Sequence, residues 1–356
     1  MAAVLEMLIR NWAIVTIALT TAILVVVPAI VIARYMRIAL NIMHSTRPPL
    51  TRNPLDYTRL EGEPVWFPAF DGLRLAGMLI HPPPGVPRRG TILFAHEFCS
   101  DMFSCARYCQ ALHLAGYEVF TFDFRGHGQS PCEPDYMPRQ WVTNRDLNDV
   151  RGAVAFVDAW LRERDLPREL GVVGVSRGAC AVILAAREFP QIRAIVSDGA
   201  YSTDTMIEYF MKRWAYIFAT VRLVENHPAA FWRFLRRTLM WLARREFGCS
   251  FPSVRKAIAS MTPRPILFIH GEKDSYLPVE QTRLLYALAP QPKFLWIAPG
   301  AKHNQAAVRH RELYDRLIVE FFDRYLGRPG EPPAAAAPAP QTSSVHAGLS
   351  AAAQAT

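Results

Sequence analysis

The alternation of apolar and polar positions divides the chain into stretches of different character. Residues Asn11 to Ala33 run for 23 positions without a charge and are rich in Ile, Val, Leu and Ala. At ~1.5 Å per residue such a helix spans roughly 34 Å, enough to cross a bilayer. Arg10 and Arg34 bound it, and Trp12 and Tyr35 stand near its ends, as interfacial aromatics do. From about residue 64 to 327, short apolar runs alternate with amphipathic stretches. Strands are predicted near 64–70, 73–81, 91–95, 118–123, 170–175, 192–197, 265–270 and 293–297. Helices are predicted near 102–115, 144–163, 177–188, 278–289 and 306–326. In the 144–163 helix, Leu147, Val150, Val154, Val157 and Leu161 recur at helical spacing and form a core-facing stripe. This alternation implies an α/β architecture, a mostly parallel eight-stranded sheet with helices on both faces. A short turn joins the first two strands, so that pair is antiparallel.

One pentapeptide in this pattern carries chemistry. Gly174-Val175-Ser176-Arg177-Gly178 reads G-x-S-x-G, after a β-branched strand and before the helical run Ala179 to Ala186. A serine between glycines at a strand-to-helix turn forms a nucleophile elbow. The glycines are there because side chains would clash with the neighbouring strand and helix, and the helix aims its N-terminus at the serine. Two later strands are each followed by a polar loop, Gly271-Glu272-Lys273-Asp274 and Gly300-Ala301-Lys302-His303. The chain order Ser176, Asp274, His303 supplies a nucleophile, an orienting carboxylate and a base. A serine hydroxyl needs a histidine to take its proton, and the carboxylate fixes the imidazole tautomer. Asp198, after the preceding strand, is the runner-up acid. Asp274 is preferred because its loop also carries His270-Gly271 before and Leu277-Pro278 after.

On these residues, positions 64–327 resemble an α/β-hydrolase of the serine-hydrolase type. Asp71-Gly72-Leu73-Arg74-Leu75-Ala76-Gly77 resembles the first turn of the prolyl-oligopeptidase, dienelactone-hydrolase and acyl-esterase branches. Asp123-Phe124-Arg125-Gly126-His127-Gly128-Gln129-Ser130 resembles the loop after the fourth strand. His127 precedes the serine and lies in the wrong loop for a base, so a structural role is expected. The resemblance implies an oxyanion hole made by the N–H groups of Arg177 and Phe98. Glu97 stands where many relatives have glycine and resembles the glutamate beside the nucleophile of dienelactone hydrolases. It can modulate Ser176 from a resting contact, or pair with an arginine such as Arg125. The expected activity is cleavage of a carboxylic ester or thioester, with a peptidase or amidase and a non-catalytic tethered binding protein as alternatives. The propeller that gates prolyl oligopeptidases is absent, and the serine excludes chemistry that uses an aspartate nucleophile.

Composition adds location and partners. The uncharged N-terminal run is too long and its basic flank too weak for a cleaved signal peptide, so residues 1–44 read as an uncleaved membrane anchor. Arg34, Arg37, Arg47 and Arg52 follow it, which places the catalytic domain in the cytoplasm by the positive-inside rule. Residues 45–63 read as a proline-bearing linker and residues 328–356, rich in Ala and Pro, as a disordered tail. A lid is expected at about 200–262, where ten basic residues meet four acidic ones among many aromatics, carrying +6 of the chain's formal +9. That mixture suits a membrane-surface face, or an apolar lid underside with solvated charges above it. Nucleic-acid binding is not expected, because no nucleic-acid motif is present. The six cysteines lack C-x-x-C spacing and fit reduced thiols. No phosphate loop, dinucleotide fingerprint or metal-ligand constellation is present, so neither cofactor nor metal is expected.

Overall fold

Eight strands build one sheet: β1 (Glu63–Pro68), β2 (Arg74–Ile80), β3 (Gly90–Ala95), β4 (Tyr117–Phe122), β5 (Leu170–Val175), β6 (Ile192–Asp198), β7 (Ile266–Gly271) and β8 (Lys293–Ala298). The structure, a computed structural model, describes residue 6 and residues 10–44, 59–218 and 228–326. The spatial order is β1-β2-β4-β3-β5-β6-β7-β8. β2 pairs antiparallel with both β1 and β4, and the other pairings are parallel, so the sheet is mixed. β4, β5 and β7 are buried at every position, which is why their sequences are continuous apolar runs and not alternations. β8 closes one edge and is only half-buried.

The helices follow the expected sites with shifted ends. They are α1 (Trp12–His44), α2 (Cys105–Leu114), α3 (Asn144–Glu163), α4 (Arg177–Ala186), α5 (Thr203–Phe218), α6 (Ala229–Phe247), α7 (Val254–Ala259), α8 (Val279–Leu288), α9 (Ala306–Arg309) and α10 (Arg311–Tyr325). The single helix expected over 306–326 is two, because His310 leaves helical geometry at φ −127°, ψ 50°. α3 starts on a capping box in which Thr143 and Asp146 satisfy each other's backbone N–H groups. Because β3, β5, β6, β7 and β8 run the same way, their carboxyl ends share one edge of the sheet. The loops bearing Phe98, Ser176, Asp274 and His303 leave from that edge.

The chain divides into two compact units, Arg47–Tyr209 with Gly248–Thr356, and Met1–Thr46 with Phe210–Phe247. The first holds the sheet. It also holds Ala200–Tyr209 and α7, which packs on α4 and α8. The insertion is therefore narrower than the lid expected over 200–262: α7 is core, with Val254, Ala257 and Ile258 buried.

The second unit contains α1 and α6. α1 runs eleven residues past Ala33 to His44, because Arg34 ends the apolar run without breaking the helix. A π-helical turn, Ala22–Val26, precedes Pro28, whose missing N–H leaves a gap in the ladder that the wider turn absorbs. Apolar side chains from Trp12 to Val31 are exposed all round α1, whereas Met36, Ala39, Leu40 and Met43 are buried. That last stretch packs against α6, with the His44 and Phe247 rings 5.5 Å apart. Residues 45–58 of the linker expected over 45–63, and the whole tail expected over 328–356, lie outside the described residues.

Candidate active site

Ser176 occupies the turn between β5 and α4 at φ 51° and ψ −114°, a left-handed conformation rare for a residue with a side chain. Its neighbours must be glycine. A Cβ on Gly174 would sit 2.6 Å from Ala179 Cα, and one on Gly178 2.6 Å from the His96 carbonyl oxygen. The Ser176 N–H donates to the Asp198 carbonyl at 2.7 Å, which fixes the turn against β6. Arg177 is the first residue of α4, so its N–H has no intrahelical acceptor.

The structure brings the three sequence-selected side chains together. Ser176 Oγ lies 3.0 Å from His303 Nε2, and His303 Nδ1 lies 2.6 Å from Asp274 Oδ2. Asp274 Oδ1 accepts from the N–H groups of Tyr276 and Leu277 at 2.9 and 2.8 Å. Burial works to raise the Asp274 pKa. The hydrogen bond and charge of His303, with help from His270, outweigh it and hold the carboxyl below its ordinary value. His270 Nε2 donates to the Leu277 carbonyl at 3.0 Å, tying down the loop that carries the acid. An imidazole held in this way accepts a proton from Ser176 at Nε2 while keeping its Nδ1–H on the carboxylate.

The other candidates separate. Asp198 is buried and does not reach His303: its Oδ2 has no hydrogen-bond partner, and burial with the Glu97 and Asp274 charges pushes it up to about 8. Glu97 is also buried and raised by that burial. Its carboxyl meets Tyr108 Oη, 3.3 Å away, and Ser104 Oγ, 3.5 Å away, at the wall of the cleft that also holds Ser176. It does not pair with Arg125, whose guanidinium is taken by Asp71, Glu133 and Asp149. His127 is structural: Nδ1 donates to the Arg125 carbonyl at 3.0 Å and Nε2 accepts from Arg177 at 3.3 Å. Burial, with the Arg177 charge beside it, holds its pKa far below the ordinary imidazole value.

The Arg177 side chain adds something the motif does not show. Its guanidinium is fully buried, 3.3 Å from Asp146, and its Nη1 donates to the Arg139 carbonyl at 3.2 Å. It also lies 5.0 Å from the Phe98 ring centroid. The two residues expected to supply the oxyanion N–H groups are thus in contact through their side chains. The cleft over Ser176 is walled by Glu97, Phe98, Gln140, Tyr201, Tyr276 and Asn304. The Tyr201 hydroxyl donates to the Gln140 carbonyl and the Tyr276 hydroxyl to Gln140 Oε1. Gln140 and Tyr201 carry no sequence signal, because they come from irregular segments far apart in the chain. Tyr276, two residues past Asp274, was within reach of a reading centred on that loop.

An eight-stranded mixed sheet with an elbow serine after β5, and His303 and Asp274 converging on it, defines the α/β-hydrolase class. The comparisons agree. A family model described as serine aminopeptidase, S33, matches residues 86–231, a segment that contains the elbow and ends before Asp274. The uncharacterized protein PA2218 of Pseudomonas aeruginosa is 44% identical over 264 residues, covering 63% of this chain and 67% of that one. The uncharacterized protein YqkD of Bacillus subtilis is 28% identical over 235 residues, covering 65% and 71%. Among solved structures, the Pyrococcus furiosus esterase Pf2001 shares the fold with a TM-score of 0.56 at 22% identity, over 79% of this chain and 97% of that one. The chain belongs to one family with the Pseudomonas protein, within the α/β-hydrolase superfamily.

Proposed function

We propose that this protein is a membrane-anchored serine hydrolase that cleaves a carboxylic ester or thioester through an acyl-enzyme. The observation that carries the reading is the relay of Ser176 Oγ to His303 Nε2 at 3.0 Å and His303 Nδ1 to Asp274 Oδ2 at 2.6 Å. Ser176 attacks the acyl carbon as His303 takes its proton. His303 then gives that proton to the leaving group, and water repeats the sequence to release the acid. Asp274 holds the tautomer and stabilises the imidazolium. The N–H groups of Phe98 and Arg177 receive the oxyanion, and the stack of the Arg177 guanidinium on Phe98 fixes their spacing. Glu97 stays outside the relay as a buried acid bonded to Tyr108. α1 is the anchor, and the arginines after its apolar run favour a cytoplasmic hydrolase unit.

The test is labelling by a fluorophosphonate probe, which reacts only with an activated serine. The full-length protein should label rapidly and Ser176→Ala not at all. Equal labelling of both, or of neither, would remove the serine-hydrolase reading and leave a tethered binding protein. The family description that names an aminopeptidase supports a second reading, an amide substrate. Parallel turnover of a matched ester and aminoacyl amide separates the two.

A further inference from the structure

α6 has two faces of opposite character. Trp232, Leu235, Leu239, Ala243 and Phe247 are buried and recur every three or four residues. Turned away from them at ~100° per residue lie Arg233, Phe234, Arg237, Trp241, Arg244 and Arg245, all exposed. Phe234 is 60% exposed and Trp241 53%, and the Arg245 guanidinium stands 4.8 Å over the Trp241 ring. A solvent face is ordinarily polar throughout. This one interleaves large aromatics with arginines, and α6 has five basic residues against one acidic residue, Glu246. The whole insertion Phe210–Phe247 has eight against two.

The position of α6 along α1 supplies the second observation. α1 packs with α6, and its buried positions begin at Met36, three residues past Ala33, where the uncharged run ends. At ~1.5 Å per residue, those positions start roughly 4.5 Å beyond the end of the apolar run. If the run lies in hydrocarbon, the first of these positions falls in the lipid headgroup layer, on the order of 5–7 Å thick, and α6 packs from there outward to the His44–Phe247 contact. Tryptophan and arginine are the side chains suited to that layer, the ring at the interface and the guanidinium on phosphate.

We propose that this exposed stripe of α6 docks on anionic phospholipid headgroups of the membrane that α1 enters, with Trp241 and Phe234 seated among the lipids and Arg233, Arg237, Arg244 and Arg245 on their phosphates. The proposal rests on the reading of α1 as a membrane span. Its function is to fix the insertion to the bilayer surface at a second point, selective for anionic lipid.

The experiment uses the full-length protein reconstituted into vesicles whose lipids are brominated near the headgroup end of their acyl chains. One set contains phosphatidylglycerol and the other phosphatidylcholine alone. Tryptophan fluorescence is compared among the unmodified protein, Trp241→Phe and Trp12→Phe, so that the differences isolate Trp241 and Trp12. Quenching of Trp12 in both lipids is expected. Quenching of Trp241 should be at least twofold greater with phosphatidylglycerol, and this excess should vanish when Arg233, Arg237, Arg244 and Arg245 are replaced together by glutamine. Fluorophosphonate labelling, unchanged, shows that this variant is folded. Trp12 quenched with Trp241 unquenched keeps the anchor and overturns the docking face, leaving it to a protein partner. Trp241 quenched equally in both lipids overturns the charge selectivity. Trp12 unquenched in either lipid overturns the anchor and the proposal together.

Discussion

The two units of this chain use charge in opposite ways. Met1–Thr46 with Phe210–Phe247 contains eleven basic and three acidic residues, and the rest of the chain contains twenty-nine and twenty-eight. Nearly all of the formal +9 therefore sits in the smaller unit. In the hydrolase unit the key charges are internal and bonded. Arg125 is fully buried among Asp71, Glu133 and Asp149, and Arg177 is fully buried against Asp146. Taking such groups out of water is costly, and the attraction between them repays little beyond that loss. What they provide is position: Arg125 joins the β1–β2 turn to α3, and Arg177 joins the elbow to Phe98. On α6 the charges are five basic to one acidic and most face outward, where they contribute little to folding and suit an external partner of opposite sign. Paired buried charge thus marks the place where geometry matters, and unbalanced surface charge marks association.

The sharpest way to break this comparison is to strike the relay alone. Ser176→Ala or His303→Ala should lower ester turnover by ~10⁴-fold or more, and Asp274→Asn by about 10⁴-fold through the wrong tautomer. Reconstitution into vesicles should be unaffected by any of the three. An Asp274→Asn enzyme near wild-type activity beside an inactive Asp198→Asn enzyme would transfer the acid role to Asp198.

A smaller effect tests whether the buried arginine is there for position. Arg177→Lys keeps a cation for Asp146 but loses the planar fork and the stack on Phe98. We expect kcat for ester hydrolysis to fall about tenfold, as the cation–π contact that holds Phe98 weakens, with KM nearly constant. Phe98→Leu, which keeps the N–H, should produce a similar loss. A change confined to melting temperature, with kcat intact, would reduce the stack to a packing contact.

The sequence is unevenly informative about this molecule for the same physical reason. The sheet was legible because β4, β5 and β7 are buried on both faces and must be apolar throughout. The positions of Ser176, Asp274 and His303 were legible because each follows a strand and the elbow needs two glycines where any Cβ would collide. The width of the insertion was not legible. α7 is as short and amphipathic as a lid helix, and only its packing on α4 and α8 assigns it to the core. The C-terminal end of α1 is not legible either, since hydropathy reports where the apolar run stops and not where hydrogen bonding stops. The environment of Glu97 was also beyond reach, because Tyr108 and Ser104 approach it through the fold. Side-chain partners contributed by separate elements leave no periodic trace.

The smallest predicted effect concerns Asp198, a buried carboxyl that the relay does not use. Burial first, and then the charges of Glu97 and Asp274, raise its pKa from 3.8 to about 8. In the unfolded chain it ionises at its ordinary value. Between those two pH values the folded protein keeps a proton that the unfolded chain has released, so stability falls as pH rises. The contribution is fully present below the unfolded pKa and is lost as pH climbs through about 8. Asp198→Asn preserves the shape and removes the ionisation. The variant's melting temperature should therefore decline less than wild type between pH 5 and pH 8.5, with a crossover that leaves it a few degrees more stable at the alkaline end. Thermal melts of both proteins in one detergent, across that range, provide the measurement. Parallel pH slopes would mean that Asp198 is already ionised in the folded state and that the environment behind Ser176 is more polar than its burial implies. A steeper fall in the variant would assign the neutral carboxyl a hydrogen-bonding role that asparagine cannot fill.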